Sequence, residues 1–188
     1  CGAVFAFLSA RYGRFGLSGI FGRKIEKNLR SWWKWKNLIK FACNNQTMVE
    51  FVAQGSVSLP DIDVPRLERW LKLVAESHGR ILGPLTYIFC DDETILDVNR
   101  QFLSHDYYTD IITFDNTLGR RISGDMYISL DTVRSNAEEV SHRPYDEELQ
   151  RVIVHGVLHL CGINDKGPGE REIMEQYENE ALSLWESL

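Results

Sequence analysis

Between Arg151 and Cys161 the chain reads Arg-Val-Ile-Val-His-Gly-Val-Leu-His-Leu-Cys, a stretch that no surface helix would carry. Wound as a helix it is apolar on nearly all sides, which predicts a buried central element around which the rest of the domain packs. Each residue of a helix turns by about 100° and rises about 1.5 Å, so His155 and His159 differ by about 40° in direction and about 6 Å in height. Both imidazoles can therefore reach one point. A buried polar group without a partner costs on the order of a few kcal/mol, and one metal ion satisfies two imidazoles at once.

Gly162 follows the second histidine by three residues, where the lack of a Cβ lets the chain turn through a left-handed conformation and double back. That turn can set Asp165 beside the imidazoles as a third ligand. A fourth tetrahedral position is then left for water, the arrangement of a catalytic rather than a structural zinc site, with one ion per chain. Histidines four apart also occur on helices by chance; the apolar company of Val152, Ile153, Val154, Val157, Leu158 and Leu160 is what favours a metal here. Cys161 lies about 200° around the helix from His159, which fits core packing better than ligation. His78, His105 and His142 stand outside the group.

A chain of 188 residues holds one ordinary core. With 44% hydrophobic and 26% charged residues, neither disorder nor a membrane-embedded fold is expected for the bulk of it. No apolar run approaches the roughly 20 residues of a membrane helix, so no membrane partner is expected for residues 48–188. Cys1, Cys43, Cys90 and Cys161 form no Cys-x-x-Cys pair, which argues against a disulfide framework and fits a reducing compartment, the cytoplasm. The net charge of −6 hides two unlike parts, because residues 1–47 carry nine Lys or Arg against one acid, while 48–188 carry twelve against twenty-six. This asymmetry predicts a boundary between a basic N-terminal extension, 1–47, and a folded domain, 48–188. Three readings of the extension compete: translated leader or other non-native sequence preceding a true start at Met48, a membrane-surface segment with interleaved Lys and Trp, and a basic arm for RNA.

From Met48 the local signals become regular. Strands are predicted at Met48–Val52, Leu85–Cys90, Asp110–Phe114 and Asp125–Ser129 from alternation and β-branched or aromatic content. Asp63 followed by Pro65 starts a helix carrying Leu67, Trp70, Leu71 and Val74, and Asp91-Asp92 starts another carrying Ile95, Val98 and Phe102. Three further helices begin near Asp131, Pro144 and Pro168. Strands first and helices later predict an α+β single domain, with a mixed sheet of about four strands packed by helices and the metal site on a central helix.

The pattern H-x3-H-x5-D with a glycine three residues after the second histidine is close to that of metzincin proteases, H-E-x-x-H-x-x-G-x-x-H. Those enzymes need a glutamate directly after the first histidine as base, and here that residue is Gly156. Peptide hydrolysis by that mechanism is therefore not expected. Phosphodiester cleavage fits better, since a metal can both activate water and polarise a phosphoryl oxygen.

The same stretch, His155 to Asp165, resembles the YbeY family signature H-G-x-L-H-L-x-G-x-x-H at every fixed position except the last, where Asp165 replaces histidine. Thr109-Asp110-Ile111-Ile112-Thr113-Phe114 resembles the family's T-D-V-L-S-F, and Gly124-Asp125-Met126-Tyr127-Ile128-Ser129 resembles G-D-I-x-I-S. The resemblance runs from about Met48 to the C-terminus and identifies a variant with Asp as third metal ligand. It implies a zincin-like α+β fold and a zinc-dependent endoribonuclease for single-stranded RNA, acting in 3′-end maturation of small-subunit rRNA and in ribosome quality control. The partners implied are rRNA and the small ribosomal subunit, with no nucleotide cofactor.

One departure stands out. Where the family carries an arginine near the cleaved RNA, this chain has Leu103, so Arg100 and His105 become the nearest candidates for a catalytic or RNA-contacting role. Asp110 and Asp125 read as strand-start carboxylates bonding backbone amides, with an orienting role open to Asp110. The alternatives are a non-catalytic ribosome-assembly factor with a structural metal, and a zinc hydrolase acting on a small amide or peptide.

Overall fold

The computed structural model of the chain describes residues 4–6, 48–103 and 106–188. Most of the basic extension, and His105, lie outside these residues. In chain order the elements are β1 (Val4–Ala6), β2 (Val49–Ala53), α1 (Val64–Ser77), β3 (Ile81–Cys90), α2 (Asp92–Leu103), β4 (Ile111–Asp115) and β5 (Arg121–Ser129). Then α3 (Leu130–Ser135) runs directly into a π-helical stretch (Asn136–Ser141), followed by α4 (Tyr145–Cys161) and α5 (Glu170–Glu186).

The strands form one mixed sheet in the order β1-β4-β5-β3-β2, in which only the β4/β5 pair is antiparallel among the described residues. The four strands after Met48 and the α+β class agree with the sequence reading. Two strands begin earlier than their sequence signals. In β3 the register shifts between Leu82 and Leu85, so Gly83 and Pro84 sit at an irregularity where the ladder asks no backbone donor of the proline. β5 starts at Arg121 because a tight hairpin through Gly119, at φ +61°, pairs Leu118 with Arg121. β1 adds a fifth strand, three residues long, beside β4.

Alternation sorts the sheet's two faces. One face presents Leu85, Tyr87 and Phe89 from β3, Met126 and Ile128 from β5 and Ile111 from β4, all joined in the main core with α1, α4 and α5. The other presents Cys90 and Ile112, covered by Ile95 and Val98 of α2 in a second, smaller core. The expected apolar residues of α1 are buried, and Trp70 is fully enclosed with its indole Nε1 donating to the Ala181 carbonyl of α5 at 2.6 Å. Phe102, expected to pack inward from α2, is instead 48% exposed with its ring edge-on to Phe114 at 5.4 Å. It lies on the outer flank of α2, so its contact is with the strand edge rather than the core.

Helix α4 is the central element. Every residue from Val152 to Cys161 is buried, and the Tyr87 hydroxyl of β3 donates to the Ile153 carbonyl at 3.3 Å, tying sheet to helix. The closest approach is at Gly156. A Cβ placed there would lie 2.8 Å from Met126 Sδ, 2.9 Å from Ile111 Cδ1 and 3.2 Å from Thr113 Oγ1. The position that carries the base in metzincin proteases thus faces the sheet in this protein, and the glycine is what lets α4 lie flat against it. Gly156→Ala is expected to cost about 1–3 kcal/mol through overpacking. Gly156→Glu, which would complete the protease-like pattern, is expected to cost at least about 3 kcal/mol by burying an unpaired carboxylate. Urea unfolding of the two variants measures both; equal and negligible losses would show that the helix has room to shift.

Candidate metal centre

The turn that ends α4 builds the site. Gly162 adopts φ +100°, its N–H bonds the His159 carbonyl at 2.9 Å, and the Ile163 N–H reaches back to the Leu158 carbonyl at 3.1 Å. This pair of bonds is a Schellman closure, which requires a left-handed residue at Gly162. Arg80 seals the same end by donating from Nε and Nη2 to the Cys161 carbonyl at 3.3 and 3.0 Å. The chain then doubles back and delivers Asp165 beside the two imidazoles, with its Oδ2 at 3.8 Å from His155 Nε2 and 3.9 Å from His159 Nε2. One ligand atom from each of the three residues lies within 4.8 Å of the others, so the structure brings together the three residues singled out from the sequence.

Hydrogen bonding at the far side of each ring fixes its tautomer. His155 Nδ1 is 2.6 Å from Glu178 Oε1, and His159 Nδ1 is 2.8 Å from the Ile163 carbonyl, contacts that require a proton on each Nδ1. Burial alone would raise the Glu178 pKa, but His155 and Arg151 outweigh it and hold the carboxyl below its usual range, so Glu178 is ionised and accepts. Burial, followed by the neighbouring His155 and Lys166, lowers the His159 pKa from 6.5 to about 3 and keeps that ring neutral. The two Nε2 atoms approach each other to 2.9 Å. The donor set fits a divalent cation: two imidazoles with oriented outer nitrogens and one carboxylate, spaced so that bonds of about 2.0–2.2 Å from each can meet.

Behind His155 stands a charged network that the sequence reading did not find. Glu178 Oε1 also accepts from Arg151 Nη1 at 3.3 Å, and Arg151 bonds Glu148 Oε1 at 2.6 Å and Asp110 Oδ2 at 3.4 Å. Burial would lower the Arg151 pKa, but Glu148, Glu178 and Asp110 more than reverse it and hold the guanidinium firmly charged. Asp110 does what a strand-start carboxylate does, accepting the Ile111 N–H at 3.0 Å, and it also pairs with Arg151. Its other oxygen receives Nδ2 of Asn136, at 3.3 Å, from the π-helical stretch. A signal for Glu178 was present in the sequence: it falls on the stripe Met174, Glu178, Ala181, Leu182 that α5 buries, where a carboxylate needs a reason.

The remaining candidates separate from the metal. Arg100 is exposed on α2 and paired with Asp106 at 2.6 Å, and it is not among the described residues that line the cleft at the metal site. His105 lies outside the described residues. Cys161 packs in the main core, and burial pushes its thiol pKa up to about 11 despite Arg80, which disfavours the thiolate a metal would need. His78 sits edge-on to Tyr177 at 4.7 Å, and His142, in a left-handed conformation, places Nδ1 2.9 Å from the Glu138 carbonyl. Asp125 accepts from Asn116 at 3.1 Å on the sheet face away from α4.

Two outcomes follow from this arrangement. Glu178→Gln, which keeps an acceptor for His155 but removes the charge, is expected to weaken metal affinity by about 10–100-fold, as read by competition with a chelator. In the metal-free protein the unfolded His159 takes up a proton near its ordinary 6.5 while the folded ring resists until about 3. Stability is therefore expected to decline as pH falls through that window, with a further loss below about 4.5 as the unfolded carboxyl of Glu178 is protonated before the folded one. Urea midpoints against pH check the sign; a midpoint that rises on acidification would contradict it.

Comparison with known proteins is consistent with this centre. The family model described as Endoribonuclease YbeY matches residues 59–186. A protein of that name from Phocaeicola vulgatus is 62% identical over 137 residues, covering 73% of this chain and 98% of its own length. Another from Bacteroides thetaiotaomicron is 63% identical over 136 residues, covering 72% and 98% respectively. A more distant one from Porphyromonas gingivalis is 50% identical over 136 residues, covering 72% of this chain and 89% of its own. With the family model and these relatives in agreement, the chain belongs to the YbeY endoribonuclease family.

Proposed function

We propose that residues 48–188 form a zinc-dependent endoribonuclease that cuts single-stranded RNA, acting in the cytoplasm on the 3′ end of small-subunit rRNA and in ribosome quality control. The observation that carries the reading is the convergence of His155 Nε2 and His159 Nε2, 2.9 Å apart, with the Asp165 carboxylate on a third side. When bound, zinc supplies Lewis-acid polarisation of a phosphoryl oxygen and activation of water. His155, His159 and Asp165 hold it, and Glu178 and the Ile163 carbonyl keep the two rings turned towards it.

His155 and Asp165 line a cleft of about 430 Å³. The residue after His155 is Gly156, pressed on the sheet, so no carboxylate stands at that position to act as base. That absence disfavours amide hydrolysis, whose poor leaving group needs a proton donor, and leaves phosphodiester chemistry as the better match. Among the described residues no helix is long and apolar enough to cross a membrane.

His159→Ala is expected to reduce bound zinc from about one equivalent to a trace and to bring cleavage of a single-stranded oligoribonucleotide to background, while far-UV circular dichroism stays close to that of the parent. A variant that loses zinc yet still supports rRNA maturation in cells would favour an assembly factor in which the metal only stabilises the fold. Retained cleavage without zinc would overturn the assignment.

A further inference from the structure

The cations that line the metal cleft are not equivalent. Arg151 is committed to Glu148, Glu178 and Asp110, Arg143 to Glu147 at 2.6 Å, and Arg171 to Glu175 at 3.0 Å. Lys166 lines the same cleft, is exposed, and makes no ion pair or hydrogen bond among the described residues. It follows Asp165 directly, so the turn that aims a ligand at the metal also sets the origin of this side chain. The far side of the turn is pinned as well: the Gly167 N–H donates to Glu170 Oε2 at 2.6 Å, and the Glu170 N–H returns to the Gly167 carbonyl at 3.1 Å.

We propose that Lys166 binds a non-bridging phosphate oxygen of the RNA strand at the metal centre. This rests on the nuclease reading above. The acids of the cleft leave Lys166 available, because Glu148, Glu175 and Glu178 each already face an arginine and Asp165 faces the imidazoles. A flexible ammonium on a fixed turn suits the task, for it can follow a phosphoryl oxygen as charge develops without disturbing the ligand beside it. It also resolves how an acidic domain takes a polyanion: local uncompensated charge at the site, rather than net charge, provides the attraction.

The test uses the full chain loaded with zinc and a fluorescent single-stranded 2′-O-methyl phosphorothioate oligonucleotide, which resists cleavage. Affinity is followed by anisotropy across a salt series for the parent, Lys166→Ala and Lys166→Arg, with zinc measured on each. Removing one phosphate contact is expected to weaken binding about tenfold and to make the slope of log affinity against log salt shallower by about 0.7. Lys166→Arg is expected to restore both, with zinc content equal in all three. Unchanged affinity and slope in Lys166→Ala would overturn the proposal while leaving the nuclease reading intact, and loss of zinc in that variant would overturn it in favour of a role in holding Asp165. A parent protein that neither binds this strand nor cleaves its RNA counterpart would overturn both.

Discussion

The structure depends on the outward commitment of two imidazole N–H groups. Because His155 donates to Glu178 and His159 to the Ile163 carbonyl, the inner nitrogens are turned to face each other at 2.9 Å. Buried polar atoms need partners, and these two nitrogens are placed where a single one can serve both. The surrounding fold imposes this geometry. Helix α4 is held flat on the sheet at Gly156, anchored by Tyr87 and closed at its end by Arg80, so neither ring can turn away without disturbing the core. Packing of the fold is thus what holds the two rings in place.

Charge is arranged in the same spirit. Arg151 gathers three carboxylates from β4's leading edge, α4 and α5, and in doing so converts a cluster of acids into a rigid support. The guanidinium fork can bind several oxygens in a fixed plane, which a lysine at that place would not do. The domain therefore carries its acidity as structure. Among the described residues that line the cleft, Lys166 is the cation that no carboxylate engages.

Much of this was legible in the residues. The buried helix, its paired histidines, the left-handed glycine and the returning aspartate form a local pattern, and local patterns survive translation into three dimensions because α-helical geometry is nearly invariant. The strands after Met48 were legible for the same reason, apart from the extra lengths of β3 and β5, which are extended by pairing partners distant in sequence rather than by their own composition. Glu178, Arg151 and Asp110 meet only when α5, α4 and β4 pack, so their joint role depends on tertiary contacts that no spacing records. Gly156 shows the complementary case. The sequence marks it as the absence of a base, whereas packing makes it a contact surface in its own right.

The position of Glu178 on α5, nineteen residues beyond His159, has a bearing on how the protein is made. As the chain emerges from the ribosome, α4 and its two histidines are available before the acceptor that fixes one of them. Until α5 docks, the His155 ring has no carboxylate to select its tautomer, and a nascent chain offers only a loose, misoriented pair of nitrogens. The hydrogen-bonded setting of His155 is thereby complete only once α5 has been synthesised and has docked.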